Sequence, residues 1–293
     1  MQTTIYKSSE GKASILSLYD RFQQDLGLVF DDRLVDTRFG QTHILVTGPE
    51  RGLPIVVTHG GNSITPQGLR GLLPLLKQER YRVYAPDTIG HPGKSAQVRL
   101  SPRDQSYGQW LSDVLDALGL ERAAFVGGSF GAGVILRLAA FAPRRITKMA
   151  LFVPSGIVAV PFTSMMFKIV LPYLLYLGFP SRRRLYRAVQ WMGSDIDEDL
   201  LQLVKAVFQH VRVEAEMPRT VTKAELENFV APTLVIAAEK DVMFPGKAVI
   251  NRAKEIFSNL TVVECLKGGT HYSSQPDLDY VCERIAEFLG TTR

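Results

Sequence analysis

The sequence predicts an α/β fold in which helices cover both faces of a mostly parallel sheet. Two observations support this prediction. Stretches with strand character alternate repeatedly with stretches of helical spacing, and most of the strand stretches are short, continuous apolar runs. Strands that are buried on both faces have this composition, and alternation of such strands with helices is typical of parallel sheets.

The first third of the chain shows how this alternation begins. Residues 11–26 carry apolar side chains at helical spacing, and Gly27 ends the pattern. Residues 33–39 and 43–47 read as two strands joined by a turn at residues 40–41. The elements predicted after them are strand 54–58, helix 69–78, strand 82–85, helix 104–118, strand 123–126, helix 130–141 and strand 146–153.

The alternation is interrupted between residues 157 and 228, where several helical stretches occur without a convincing strand. It then resumes with strand 232–237, helix 247–257, strand 261–266 and helix 278–289. We therefore predict one α/β domain built from residues 1–156 and 229–293. Residues 157–228 are expected to form a helical cap inserted after the sixth strand.

Composition and charge indicate a globular protein that does not bind nucleic acid. Of the 293 residues, 46% are hydrophobic and 22% are charged, which is typical of a globular protein. The net charge of +5 is small, and Arg182, Arg183 and Arg184 form the only dense basic cluster. No aromatic residues interleave basic ones in a nucleic-acid-binding pattern, so no nucleic-acid partner is expected.

The sequence favours a cytoplasmic location. Cys265 and Cys282 are too few for a disulfide framework and suit a reducing compartment. Residues 1–7 lack a basic flank followed by an apolar stretch, so no signal peptide is predicted. Residues 157–180 are the most apolar segment, but three prolines and a lysine interrupt them, so no stable membrane insertion is expected.

A glycine-flanked serine follows the apolar run at residues 123–126. Gly127, Ser129 and Gly131 form a G-x-S-x-G pattern between a predicted strand and a predicted helix. A sharp turn there projects the serine hydroxyl, and the glycines remove the Cβ atoms that would crowd the turn. We predict that Ser129 is a nucleophile and that the Phe130 N–H is one donor to an oxyanion.

A serine nucleophile needs a histidine base, and position selects His271. It lies in a glycine-rich loop after the last predicted strand, where an imidazole could reach across the end of the sheet. The four other histidines lie in or at the end of early strands, in a loop before the serine, or in a cap helix: His43, His59, His91 and His210.

The expected acid partner of the histidine is Asp241, which directly follows the strand after the cap. Its carboxylate would accept a hydrogen bond from the imidazole Nδ1–H and so fix the tautomer. Glu239 is the main rival, and capping of a turn is the other interpretation of Asp241.

The second oxyanion donor is expected in the loop after the third strand, at residues 59–62. The Gly61 N–H is the first choice, and the backbone or amide of Asn62 is the alternative. His59 is expected to be structural, held there by a fixed hydrogen bond. The later segment 90–95 ends like a phosphate-binding loop, but Thr88 replaces the first glycine and no helix follows, so nucleotide binding is not expected.

Together these motifs resemble the α/β-hydrolase superfamily and, within it, bacterial carboxylesterases with a helical cap. The segments that carry the resemblance are residues 59–61, 87–95, 127–131, 239–241 and 268–271. The resemblance implies an eight-stranded, mostly parallel sheet, no cofactor, and ester hydrolysis through an acyl-enzyme. The elbow lacks a nucleophilic aspartate, which argues against the related dehalogenases and epoxide hydrolases.

The cap predicts an enclosed apolar pocket for a small apolar ester. Apolar side chains recur there at near-helical spacing: Phe162, Met165, Met166, Phe167, Val170, Tyr173 and Leu174. The expected lining includes Asn62, Phe162, Met166 and Phe167. Three alternatives remain open: a proline iminopeptidase, a C–C bond hydrolase with the same triad, and a non-catalytic ligand-binding protein. For the peptidase, Phe130 replaces the usual tryptophan, whereas two cap glutamates, Glu214 and Glu216, could hold a substrate amine. A monomer or homodimer is expected.

Overall fold

The computed structural model describes residues 4–193 and 196–291. Residues 1–3 lie outside that description and belong to the segment in which no signal peptide is predicted. Residues 194–195, in the predicted cap, also lie outside it. The described residues form an eight-stranded sheet in the order β1-β2-β4-β3-β5-β6-β7-β8. The strands are β1 (Asp31–Thr37), β2 (Gly40–Thr47), β3 (Leu53–Thr58), β4 (Tyr81–Pro86), β5 (Ala123–Gly128), β6 (Ile146–Phe152), β7 (Thr233–Ala238) and β8 (Leu260–Leu266).

The strand directions confirm the predicted mostly parallel sheet. β1 and β2 form an antiparallel hairpin, and β2 pairs with β4 antiparallel. All other neighbouring strands are parallel. The predicted turn position in the hairpin is wrong, because Gly40 pairs with Thr37 and leaves residues 38–39 as the turn.

Helices cover both faces of the sheet. They are α1 (Ser9–Asp25), α2 (Thr65–Arg70), α3 (Leu73–Leu76), α4 (Ser106–Ala117), α5 (Phe130–Phe141), α6 (Phe162–Ser164), α7 (Leu171–Gly178), α8 (Arg182–Val189), α9 (Glu198–His210), α10 (Gly246–Ile256) and α11 (Gln275–Gly290). The single helix predicted at 69–78 is two short helices, since Pro74 has no N–H to continue the first one and lies at the start of the second.

The two sides of the sheet bury separate apolar clusters. Alternate residues of a strand point to opposite faces, so Phe125 contributes to one cluster and its neighbour Val126 to the other. Trp110 of α4 packs in the first cluster, whereas Ile15 of α1 and Ile285 of α11 pack in the second. These two layers hold the carboxyl ends of the central strands in fixed positions.

Helices α6 to α9 lie between β6 and β7, and no strand occurs in the described residues of that interval. A π-helical stretch, Met165–Val170, joins α6 to α7. Asp197 precedes helix α9 as its N-cap, and its side chain accepts the Leu200 N–H at 2.7 Å. No helix in residues 4–193 and 196–291 is long and apolar enough to cross a membrane. The division into a core and a cap domain stays a prediction.

A buried histidine links the amino-terminal hairpin to the loop after β4. The Nδ1 atom of His43 lies 3.1 Å from Asp87 Oδ2, and its Nε2 atom lies 2.8 Å from Asp32 Oδ1. Burial lowers the pKa of His43, but the hydrogen bonds and charges of the two carboxylates outweigh it, so the pKa lies above its ordinary value of 6.5.

We expect the stability contributed by His43 to depend on pH. Because its pKa is raised on folding, the contribution is fully present below about pH 6.5, the ordinary value for an unfolded histidine, and is lost as the pH rises through the folded-state pKa. Urea unfolding between pH 6 and pH 9 should show this loss in the unchanged protein and a smaller loss in the His43→Gln variant. An identical pH dependence in both proteins would contradict the assignment.

Candidate active site

Three predicted site residues meet at the carboxyl edge of the sheet. Ser129 follows β5, Asp241 follows β7 and His271 follows β8. The Oγ atom of Ser129 lies 3.0 Å from His271 Nε2, and His271 Nδ1 lies 2.8 Å from Asp241 Oδ2. The ring therefore donates its Nδ1–H to the carboxylate, which leaves Nε2 free to accept the serine proton.

The Asp241 carboxylate is buried and held in place by backbone groups. Its Oδ1 atom accepts the N–H groups of Met243 at 2.7 Å and Phe244 at 3.0 Å, which leaves Oδ2 for the imidazole. Glu239, the predicted rival, is exposed and accepts the Gly268 N–H at 2.7 Å. The structure thus places Asp241 against the histidine and uses Glu239 to hold the loop before it.

The turn at Ser129 has an unusual backbone conformation. Its φ of 50° and ψ of −121° lie in a region that residues other than glycine rarely adopt. The flanking positions must be glycine because neighbouring atoms leave no room for a Cβ. A Cβ on Gly131 would lie 2.5 Å from the Thr58 carbonyl oxygen, and one on Gly127 would lie 2.6 Å from Ile135 Cδ1.

The end of β6 and the loop after it hold the backbone of Ser129 in this conformation. The Ser129 N–H donates to the Phe152 carbonyl at 3.0 Å. The Ser129 carbonyl accepts both the Ser155 hydroxyl at 3.0 Å and the Ser155 N–H at 3.2 Å. Ser155 is fully buried, and sequence reasoning missed it because a lone serine beyond a strand carries no recognisable signal.

The loop after β3 lies against the start of α5. A Cβ on Gly61 would lie 3.1 Å from Phe130 Cβ, so the two candidate oxyanion donors belong to segments in direct contact. Asn62 is engaged elsewhere. Its N–H donates to His91 Nδ1 at 3.0 Å, and its amide donates to the Glu214 carbonyl at 2.8 Å and accepts the Glu214 N–H at 2.7 Å. This arrangement favours Gly61 as the second donor.

Two neutral histidines support that loop. His59 donates from Nδ1 to the Gly60 carbonyl at 2.8 Å and accepts the Thr88 N–H at Nε2 at 3.0 Å. Burial lowers the pKa of His59 and lowers that of His91 well below the ordinary value. A neutral His91 ring can accept the Asn62 N–H, a role that the sequence did not suggest.

We expect Asn62 to position the loop rather than bind the oxyanion. The Asn62→Gly variant removes the amide but suits the positive φ of 52° at this residue. Its kcat for ester hydrolysis should fall by no more than about tenfold, because loss of a true oxyanion donor costs roughly 100- to 1,000-fold. Steady-state kinetics measure the difference, and a loss in the larger range would make Asn62 a donor.

A cavity of about 1000 Å³ opens beside Ser129 and His271. Asn62 lies in its wall as predicted, but the other predicted lining residues do not: Phe162, Met166 and Phe167. Phe162 is 68% exposed and Phe167 is 66% exposed. The π-helical stretch Met165–Val170 has a wider turn than an α-helix, and its Met165 and Ile169 line the cavity whereas its Phe167 faces solvent. The residues between β6 and β7 that line the cavity include Met165, Ile169, Tyr173, Leu174 and Trp191.

Comparison with known proteins shows the family of this chain. Residues 55–281 match the Alpha/beta hydrolase family, so the chain belongs to that family. The chain is similar to two carboxylesterases of Bacillus subtilis. It is 26% identical to the uncharacterized carboxylesterase Nap, over 87% of this chain and 85% of that one, and 25% identical to carboxylesterase YbfK, over 94% of each.

Solved structures show the same fold. The crystal structure of naproxen esterase from Bacillus subtilis superposes with a TM-score of 0.82 at 24% identity, over 97% of this chain and 100% of that one. A shorter similarity links 39% of the chain, at 36% identity, to 40% of a 2-hydroxymuconate semialdehyde hydrolase from Pseudomonas putida. The predicted family and fold class are thus confirmed.

Proposed function

We propose that this chain is a serine hydrolase that cleaves carboxylic esters through an acyl-enzyme. One observation carries the proposal: the unbroken series of contacts from Ser129 Oγ to His271 Nε2 and from His271 Nδ1 to Asp241 Oδ2, at 3.0 and 2.8 Å. Similarity to carboxylesterases along nearly the whole chain supports an ester as the substrate.

The geometry suits a two-step reaction. His271 accepts the hydroxyl proton as Ser129 Oγ attacks the ester carbonyl, and Asp241 stabilises the imidazolium that forms. The N–H groups of Gly61 and Phe130 bind the oxyanion. The alcohol leaves with the proton from His271. Water, activated by the same histidine, then attacks the acyl-serine and releases the acid. Each step uses side chains and backbone of this chain and needs no cofactor.

The cavity favours an apolar ester of small to medium size. Its volume of about 1000 Å³ and its aliphatic and aromatic lining would bind an apolar acyl or alcohol group. We propose that residues 157–228 form the cap that selects this group, since Met165, Ile169 and Tyr173 face the cavity. A cytoplasmic monomer or homodimer stays a prediction from the sequence.

The iminopeptidase alternative is less well supported. A substrate amine needs a free carboxylate, but the carboxylates of Glu214 and Glu216 are each paired with an arginine. Glu214 Oε2 lies 3.3 Å from Arg99 Nη1, and the Glu216 carboxylate contacts Arg103 at 2.5 and 2.7 Å. C–C bond hydrolysis would use the same three residues, and the partial similarity to a semialdehyde hydrolase makes it the second candidate.

A fluorophosphonate probe tests the proposal directly. It should label folded protein at Ser129, as located by mass spectrometry of peptides, and should fail to label heat-unfolded protein. The labelled enzyme should lose its activity on short p-nitrophenyl esters. A panel of esters, thioesters, amides, lactones and diketones then identifies the bond, and faster turnover of diketones would favour C–C hydrolysis. Absence of labelling in folded protein would support a non-catalytic ligand-binding protein instead.

A further inference from the structure

The outer side of the cap exposes large apolar side chains along one helical segment. Those between residues 162 and 179 are 41% to 68% exposed and include Phe162, Phe167, Leu171, Leu174, Leu175 and Phe179. We call this surface the outer cap face. Single exposed apolar residues are common in globular proteins, but a contiguous group of this kind marks a surface that another apolar surface covers.

The charges within the segment that carries the outer cap face have one sign. Residues 157–193 contain one lysine and four arginines but no aspartate or glutamate, so this segment accounts for the whole net charge of +5. Its cations are Lys168, Arg182, Arg183, Arg184 and Arg187. All five are exposed. An apolar surface on a segment whose only charged side chains are cations complements a bilayer, which is apolar inside and anionic at its surface.

Most of these cations have no acidic partner among the residues that the structure describes. Within residues 4–193 and 196–291, Lys168, Arg183 and Arg187 form no ion pair. Arg182 contacts Glu198 at 2.8 Å, but both side chains are more than 70% exposed, so solvent screens that pair. Helix α8 buries Leu185, Ala188 and Val189, which directs its arginines outward. Their charge is therefore available to an external anion.

We propose that the outer cap face docks on the surface of an anionic phospholipid bilayer. Aromatic and aliphatic side chains would enter the boundary between headgroups and acyl chains, while the lysine and arginines contact anionic headgroups. Docking would be peripheral, as the short helices of this region cannot cross a bilayer.

The same helical segment also borders the cavity. Met165, Ile169 and Tyr173 line the cavity, and Leu174 both lines it and is 55% exposed. Docking would therefore bring the cavity rim next to the lipid, where apolar molecules concentrate. The docking itself does not depend on ester hydrolysis, so its test is separate from that of the proposed function.

Flotation of the full chain with vesicles tests the proposal. The protein should bind vesicles of phosphatidylcholine with 30–40% phosphatidylglycerol far better than vesicles of phosphatidylcholine alone, and high salt should release it. The double variant Arg183→Glu/Arg187→Glu, which reverses two of these charges, should lower the partition coefficient for anionic vesicles at least about tenfold. Replacement of apolar residues in Phe162→Ser/Phe167→Ser should also lower it.

Two matched double variants test whether loss of positive charge or of exposed apolar area outside the outer cap face has the same effect. Arg122→Glu/Arg144→Glu reverses two exposed cations outside the cap, and Val29→Ser/Val230→Ser removes two exposed apolar side chains there. Both should bind vesicles like the unchanged protein. Equal binding to neutral and anionic vesicles, or none to either, would overturn the proposal. So would light scattering that shows a dimer converted to a monomer by Phe162→Ser/Phe167→Ser, because a second copy would then cover this face.

Discussion

Replacing Ser129 with alanine is expected to lower kcat for ester hydrolysis by roughly 10⁴- to 10⁶-fold. The variant keeps the imidazole, the carboxylate and the oxyanion donors, but it has no atom at the 3.0 Å position from which the hydroxyl oxygen attacks. KM should change little, since the hydroxyl contributes little to binding of the uncharged ester. The two constants are measured by steady-state hydrolysis of p-nitrophenyl esters.

A second serine provides the control for this measurement. Ser112 of α4 is also buried but does not line the cavity, so Ser112→Ala should keep kcat within about threefold. Thermal unfolding of both variants separates loss of chemistry from loss of fold. If Ser129→Ala remained fully active, the proposed mechanism would be wrong.

Replacing Asp241 with asparagine is expected to lower kcat by roughly 10³- to 10⁴-fold. In the native site, Asp241 Oδ1 accepts two backbone N–H groups, and Oδ2 accepts the His271 Nδ1–H. The asparagine oxygen would take the backbone position, so its NH₂ group would face the imidazole. The ring would then carry its proton on Nε2, where it could not accept the proton of Ser129.

Glu239→Gln is the matched variant for this test, since it neutralises the rival carboxylate two residues away. Its side-chain oxygen can still accept the Gly268 N–H, so kcat should stay within about tenfold of the native value. Activity and thermal stability of both variants should be measured side by side. A larger loss of kcat in Glu239→Gln than in Asp241→Asn would reverse the assignment of the acid.

The sequence was sufficient to predict the sheet and the central contacts because both depend on local patterns in a fixed order. Apolar runs identify strands buried on both faces, and the G-x-S-x-G pattern identifies the turn at Ser129. Asp241 and His271 follow because parallel strands bring their carboxyl ends to one edge. The structure brings these residues together at hydrogen-bonding distance.

Other features of the site could not be predicted, for physical reasons. The hydrogen bonds of Asn62 to His91 and Glu214 join parts of the chain 29 and 152 residues apart, and no local pattern records such pairing. The lining of the cap depends on the rotation of one helical segment. The π-helical stretch Met165–Val170 changes that rotation without a distinctive composition, and Phe167 within it faces solvent.

The backbone conformation of Ser129 lowers the stability of the fold. A non-glycine residue held in such a conformation costs about 1–3 kcal/mol, a noticeable part of the stability of a typical domain. Glycine would adopt the same φ of 50° and ψ of −121° with little penalty. Selection for stability alone would therefore favour glycine at position 129, whereas the serine held there by Phe152 and Ser155 supports the proposed role of its hydroxyl.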